Sequence, residues 1–200
     1  AGNTGNQIFA LKYENGTWEV SNFFIKYGPV DPYFQVFGMS FIAADYGYSC
    51  GLLADGTGIA SGVNFVYYQG SWGLTYPEPV PYAAFYDVKF MDANNGYTTG
   101  CYQATYIQTE TLTYAYNNGT WTQENSIVGT DGCGYALAVT PGGTWHLGGT
   151  LNGTAVLMTR DTAGWVEDAQ WNPGSFSGTI LDVEFPSEDL GIAVGTTGEF

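Results

Sequence analysis

The sequence predicts an all-β fold, a four-bladed β-propeller of four-stranded antiparallel blades, and three observations carry that prediction. Glycine accounts for 29 of 200 residues and aromatic residues for 17%, the profile of short strands joined by tight turns. No stretch shows the 3.6-residue apolar period of an amphipathic helix. Above all, one block of about fifty residues returns along the chain.

In its clearest form the block reads Tyr86-Asp87-Val88-Lys89-Phe90, then Asn95-Gly96-Tyr97-Thr98-Thr99-Gly100, then Tyr116-Asn117-Asn118-Gly119-Thr120-Trp121. Its first part recurs from Phe37 to Phe41, Tyr135 to Val139 and Leu181 to Phe185. Its second part recurs from Gly47 to Gly51, Thr144 to Gly148 and Gly191 to Gly195. Counted to Gly47, Gly96, Thr144 and Gly191, the second part follows Phe41, Phe90, Val139 and Phe185 after 6, 6, 5 and 6 residues. From Gly51, Gly100 and Gly148 to the next Trp there are 21, 21 and 17 residues. The fourth unit reaches a Trp only if the chain ends abut, Gly195 meeting Trp18 after 23 residues. The expected repeats are therefore 34–80, 81–128, 129–172, and 173–200 completed by 1–33, all in one domain.

Each part of the block has a structural reading. The first is a strand of alternating apolar residues, followed by an Asp/Asn/Gly turn such as Asp92 to Gly96. The second is a strand flanked by glycines, which let neighbouring backbones approach closely. The third is a hairpin with Asn-Gly at its corner and a Trp just beyond it, placed to pack between blades. Four such sheets arranged radially, the last closed by the N-terminal strands, leave no long free edge.

These motifs resemble the repeat of photosystem-assembly-factor-type propellers and the related Asp-box (BNR) hairpin. Thr159-Arg160-Asp161-Thr162-Ala163-Gly164-Trp165 is the nearest approach to a true Asp-box, and the other hairpins lack its Asp. The resemblance implies a fold and not an activity.

Charge narrows the partners. Nineteen acids face four bases (Lys12, Lys26, Lys89 and Arg160), a net charge of −15. So few cations cannot neutralise phosphates, which excludes nucleic acid and argues against anionic membranes and the basic patch of the photosystem relatives. No apolar run is long enough to insert into a bilayer. With Arg160 as the only arginine, the arginine triad by which Asp-box sialidases clamp a carboxylate cannot be built.

Catalytic signals are weak, and no enzyme activity is expected. Gly47-Tyr48-Ser49-Cys50-Gly51 matches a G-x-S-x-G nucleophile elbow, with Asp131 and His146 following in hydrolase order. An elbow feeds a helix, whereas this segment turns at once, and the Ser49 slot holds Thr98 and Ala193 in sister repeats. With nineteen acids a glycoside hydrolase stands as a third reading, but no spacing selects its carboxylate pair. The sole histidine, His146, has no cluster of metal ligands around it, so it is read as structural and no metal site is assigned. Calcium remains open as a cofactor through the Asp-containing loops Asp92 to Gly96 and Asp55 to Gly58.

The remaining features point outside the cell. The chain opens at Ala1, as after removal of a signal peptide, and carries sequons at Asn15, Asn118 and Asn152, expected to be glycosylated in a secreted protein. Of three cysteines, Cys101 and Cys133 fall toward the same face in adjacent blades and are the candidate disulfide, leaving Cys50 as a buried thiol. The segments between blades should emerge on one face with Tyr27, Tyr33, Tyr76, Tyr82, Trp171 and Phe176 beside Asp131. Aromatic platforms next to carboxylates suit sugar rings, although the same rings could instead plug the propeller centre. The expected function is that of a lectin-like recognition protein, secreted and non-enzymatic, binding a glycan or an extracellular protein. The alternative is a self-assembling subunit of a matrix or filament, in which the N-terminal strands complete a neighbour's blade.

Overall fold

A computed structural model describes residues 8–23, 33–54, 59–105, 108–124, 131–168 and 177–197, and all of its regular structure is β. The N-terminal hairpin consists of β1 (Ile8–Glu14) and β2 (Thr17–Phe23). The first blade is β3 (Tyr33–Ala43), β4 (Tyr46–Ala54), β5 (Ala60–Tyr68) and β6 (Ser71–Pro81). The second is β7 (Ala83–Asp92), β8 (Asn95–Thr105), β9 (Gln108–Asn117) and β10 (Thr120–Gln123), and the third β11 (Gly132–Val139), β12 (Trp145–Leu151), β13 (Thr154–Asp161) and β14 (Gly164–Glu167). A half-blade, β15 (Gly178–Ser187) and β16 (Leu190–Thr197), follows.

Each full blade is an antiparallel meander in chain order, and successive blades meet through their first strands, β3 on β7, β7 on β11 and β11 on β15. This is the bladed architecture that the repeat predicts. The fourth blade, however, stands as two halves. Among the described residues β16 pairs only with β15 and β1 only with β2.

The repeat has a specific physical content. Every first strand carries a β-bulge at the same slot, where the ladder shifts between Val36 and Gly38, Phe85 and Asp87, Gly134 and Ala136, and Ile180 and Asp182. Opposite each bulge sits a glycine, Gly51, Gly100, Gly149 or Gly195, whose hypothetical Cβ would collide with a carbonyl oxygen of the first strand. Earlier on three of the second strands, Gly47, Gly96 and Gly191 lie beneath the rings of Phe41, Phe90 and Phe185. The ladder also corrects the spacing of the third unit. Val139 pairs with Trp145, so the second motif starts there and Gly149, not Gly148, takes the bulge slot. The interval is then 6 residues in all four units.

Hairpin corners follow the expected turn chemistry. Asn15-Gly16, Gln69-Gly70, Asn118-Gly119 and Asn152-Gly153 all have positive φ at both positions, the signature of type I′ turns. Beyond three of these corners a Tyr faces a Trp across the ladder, and Tyr13–Trp18, Tyr67–Trp72 and Tyr116–Trp121 each have ring centroids 5.1 Å apart.

Asp87 ties the second blade to the third. Its Oδ2 accepts the backbone N–H of Leu137 and its Oδ1 that of Val88, both at 2.8 Å. A Cβ on Gly38 would meet Asp87 at 2.7 Å, so a glycine there makes room for it. Burial pushes the carboxyl from 3.8 up to about 6, against the two N–H donors and Lys89, which favour the charged form. A folded pKa above the unfolded one contributes stability that is fully present below the unfolded value and is lost as pH rises through the folded value. Urea titrations from pH 4 to 7 should therefore move the stability difference toward Asp87→Asn by about 2–3 kcal/mol as pH rises. A pH-independent difference would exclude this titration.

Candidate functional site

The blade face where first strands begin and second strands end carries a cleft of ≈ 570 Å³. Its floor is an aromatic ladder built by the bulges themselves. The extra residue at each bulge is Phe37, Tyr86, Tyr135 or Leu181. Phe37 meets Tyr86 at 5.0 Å between ring centroids, and Tyr86 meets Tyr135 at 4.8 Å. Tyr86 and Tyr135 line the cleft, and burial raises the Tyr135 phenol above its ordinary pKa, so it stays a neutral donor and acceptor.

Tyr82 and Asp131 stand at the rim. Tyr82 is the single residue between β6 and β7, held at φ 59° by its N–H to Ala60 and by its carbonyl accepting from Gln103. That backbone leaves its ring exposed over the opening. Asp131 accepts the Thr109 hydroxyl at 2.9 Å, and its carbonyl accepts the N–H of Asn152. Gln103, Thr109 and Thr150 add further polar groups. Cys101 and Cys133 form a disulfide in the cleft wall, with Cα atoms 4.7 Å apart, joining β8 to β11. No lysine or arginine lines the cleft among the described residues. Lys89 pairs with Glu184 at 2.7 Å and Arg160 with Glu124 at 2.8 Å. The cleft can stack a planar or apolar face on tyrosine, exchange hydrogen bonds through phenols and hydroxyls, and accept from hydroxyl or ammonium donors at Asp131.

Of the residues expected from the sequence, Tyr82 and Asp131 come together here. Tyr33 lies outside the cleft lining. It is the first residue of β3, not part of a linker, and its hydroxyl accepts from Gln35. Tyr76 is likewise in a strand, β6, because the chain from Ser71 to Pro81 stays extended. Prolines at 77 and 79 cannot donate to a ladder, and the register between β5 and β6 skips from Thr75 to Val80 around them. Tyr27, Trp171 and Phe176 lie outside the described residues. Tyr86 and Tyr135 were missed as site residues, although their repeat slot also holds Phe37 and Leu181 and was visible in the alignment of the units. Asn15, Asn118 and Asn152 are all exposed, each at a type I′ corner that accounts for its Asn-Gly dipeptide without glycosylation.

The residues of the hydrolase motif do not assemble. Ser49 is buried in the middle of β4, paired on both sides, and its hydroxyl has no hydrogen-bond partner among the described residues. Cys50 is a fully buried thiol whose pKa burial raises. His146 stacks on Phe185 of the next blade with centroids 4.0 Å apart, in the slot where Tyr48 stacks on Phe90 at 4.4 Å. Its Nδ1 lies 3.2 Å from the Thr159 hydroxyl, which donates to Asp168 at 2.7 Å. Burial lowers the His146 pKa, with Asp168 and Glu188 opposing. A hollow of ≈ 610 Å³ opens beside it. No group of three or more His, Cys, Asp or Glu residues suited to a metal occurs among the described residues. Asp92 caps its own turn through Asn94 and Asn95, and Asp161 does the same through Ala163 and Gly164. The Asp55–Gly58 loop lies outside the described residues.

No family model and no curated protein matches this chain. Among solved structures it is similar to YCF48 bound to a D1 peptide, with a TM-score of 0.42 and 14% identity, covering 87% of this chain and 68% of that one.

Proposed function

We propose that this chain is a non-enzymatic recognition module that works outside the cell and binds a glycan or an extracellular polypeptide in the tyrosine-lined cleft. The observation that carries this reading is the convergence of Tyr82, Tyr86, Tyr135 and Asp131 on one opening whose described lining has no cation. Such a surface favours neutral or cationic partners and disfavours phosphates and other anions. The Cys101–Cys133 disulfide supports an oxidising compartment. The exposed Asn118 and Asn152 are reachable by glycosylation machinery.

Screening of glycan arrays and peptide libraries, followed by calorimetry, tests the reading. For any ligand found, Tyr82→Ala and Asp131→Asn should each weaken binding by about tenfold or more while leaving thermal unfolding unchanged, since both side chains are exposed. Binding that survives the double variant would place recognition elsewhere.

A further inference from the structure

Among the described residues no strand pairing joins the fourth blade's two halves, and these halves are complementary. At the junctions that exist, a second-strand side chain is laid on the first strand of the next blade. Tyr48 rests on Phe90 and His146 on Phe185, and Cys50 and Val88 complete the seal between the first two blades. The same slots at the open ends hold Ile192 and Val194 on β16, and Met39 and Phe41 on β3.

Ile192 and Val194 are 57% and 55% exposed, and Met39 and Phe41 are 54% and 48% exposed. Tyr48, Cys50, Val88 and Phe90 in equivalent places are at 3%, 0%, 0% and 9%. β1 touches β3, the pair that corresponds to β5 on β7, β9 on β11 and β13 on β15, but more sparsely than in those complete junctions. Only a second strand is missing between β1 and the β3 face, and β16 is a second strand lacking a third.

We propose that a second copy of this chain closes this junction, β15–β16 of one molecule receiving β1–β3 of the next, head to tail. The register follows from the complete blades. Gly47 faces Tyr67 and Ser49 faces Phe65, so Gly191 of one copy faces Tyr13 of the next and Ala193 faces Leu11. The half-blade is held in this open position by contacts with the second and third blades. Glu184 of β15 pairs with Lys89 of β7, Glu188 accepts the N–H of Gly142, and Phe185 stacks on His146. These contacts fix β15–β16 against the second and third blades while leaving the Ile192 face open. Two free strand edges beside apolar faces form a template for pairing between copies. Such a heterologous contact builds open chains or rings. Each copy carries a net charge of −15, so salt should promote the association by screening.

Sedimentation equilibrium of the intact chain should show self-association that tightens when ionic strength rises from ~0.02 to ~0.3 M. Met39→Glu and Ile192→Glu/Val194→Glu should each be monomeric and correctly folded, since these side chains are exposed. Mixed, they should give a heterodimer and nothing larger, because each variant retains one intact face. Leu11→Cys/Ala193→Cys should oxidise to a covalent ladder of chains. A wild type that stays monomeric at every concentration, or a cross-link formed inside one chain, overturns the proposal.

Discussion

Gly100→Ala is expected to destabilise the fold by about 3 kcal/mol, as an addition at the equivalent Gly51, Gly149 or Gly195 also would. The added Cβ would run into the carbonyl oxygen of Ala84 and reach within 2.8 Å of the Phe85 Cα. Both obstacles are backbone of the adjacent strand in the same ladder, and neither can rotate aside as a side chain would. The strand could yield only by opening the bulge at Phe85–Asp87, which would withdraw Asp87 from the Leu137 N–H and move Tyr86 out of the cleft floor. A control is available in Gly73, where a Cβ meets nothing within 4 Å. Chemical denaturation of both variants checks the expectation. A Gly100→Ala protein within about 0.5 kcal/mol of wild type would show that the bulge is not rigid.

Removing the disulfide is the second large effect. Cys101 and Cys133 enclose a sequence separation of 32 residues, and loop-closure entropy for that length corresponds to about 3–4 kcal/mol. Cys133→Ser should lose that much in denaturant titrations under oxidising conditions. Adding a reductant should bring the wild type down to the variant and leave the variant unmoved. Cys50 is buried in the first blade and should not substitute as a partner. A variant as stable as the oxidised wild type would mean that the bond constrains nothing in the unfolded chain.

How far the sequence could be read followed from what repetition encodes. Strand order, turn chemistry and the Cys101–Cys133 pairing depend on residues that recur or on their positions within the unit, and these were legible. The shift of the third unit was concealed because Gly148 and Gly149 are adjacent and either fits the motif, and only the ladder selects Gly149. Tyr33 and Tyr76 were misplaced into linkers because polar and proline-rich composition imitates a loop even where the chain stays extended. The cleft was half legible. Tyr82 and Asp131 lie where chain connectivity puts them, whereas Tyr86 and Tyr135 point into the opening only because a bulge turns them there. A bulge is a backbone irregularity without a residue signature of its own, apart from the glycine opposite.

The junctions are not equally fastened. Between the second and third blades lie the disulfide, the buried Asp87 carboxylate and the Arg160–Glu124 pair. The first and second are held by ring packing and by the Tyr48–Tyr116, Ser40–Phe90 and Asn64–Thr98 hydrogen bonds, and the third and half-blade by aliphatic contacts, the imidazole stack and hydrogen bonds from Gly142 to Glu188, Thr150 to Gly178 and Gly178 to Gly153, with no covalent link among the described residues. Under mechanical load, or during breathing in solution, the molecule would therefore fray from its two ends toward a clamped middle. The tyrosine cleft, whose wall contains that clamp, would be the last surface to lose its shape.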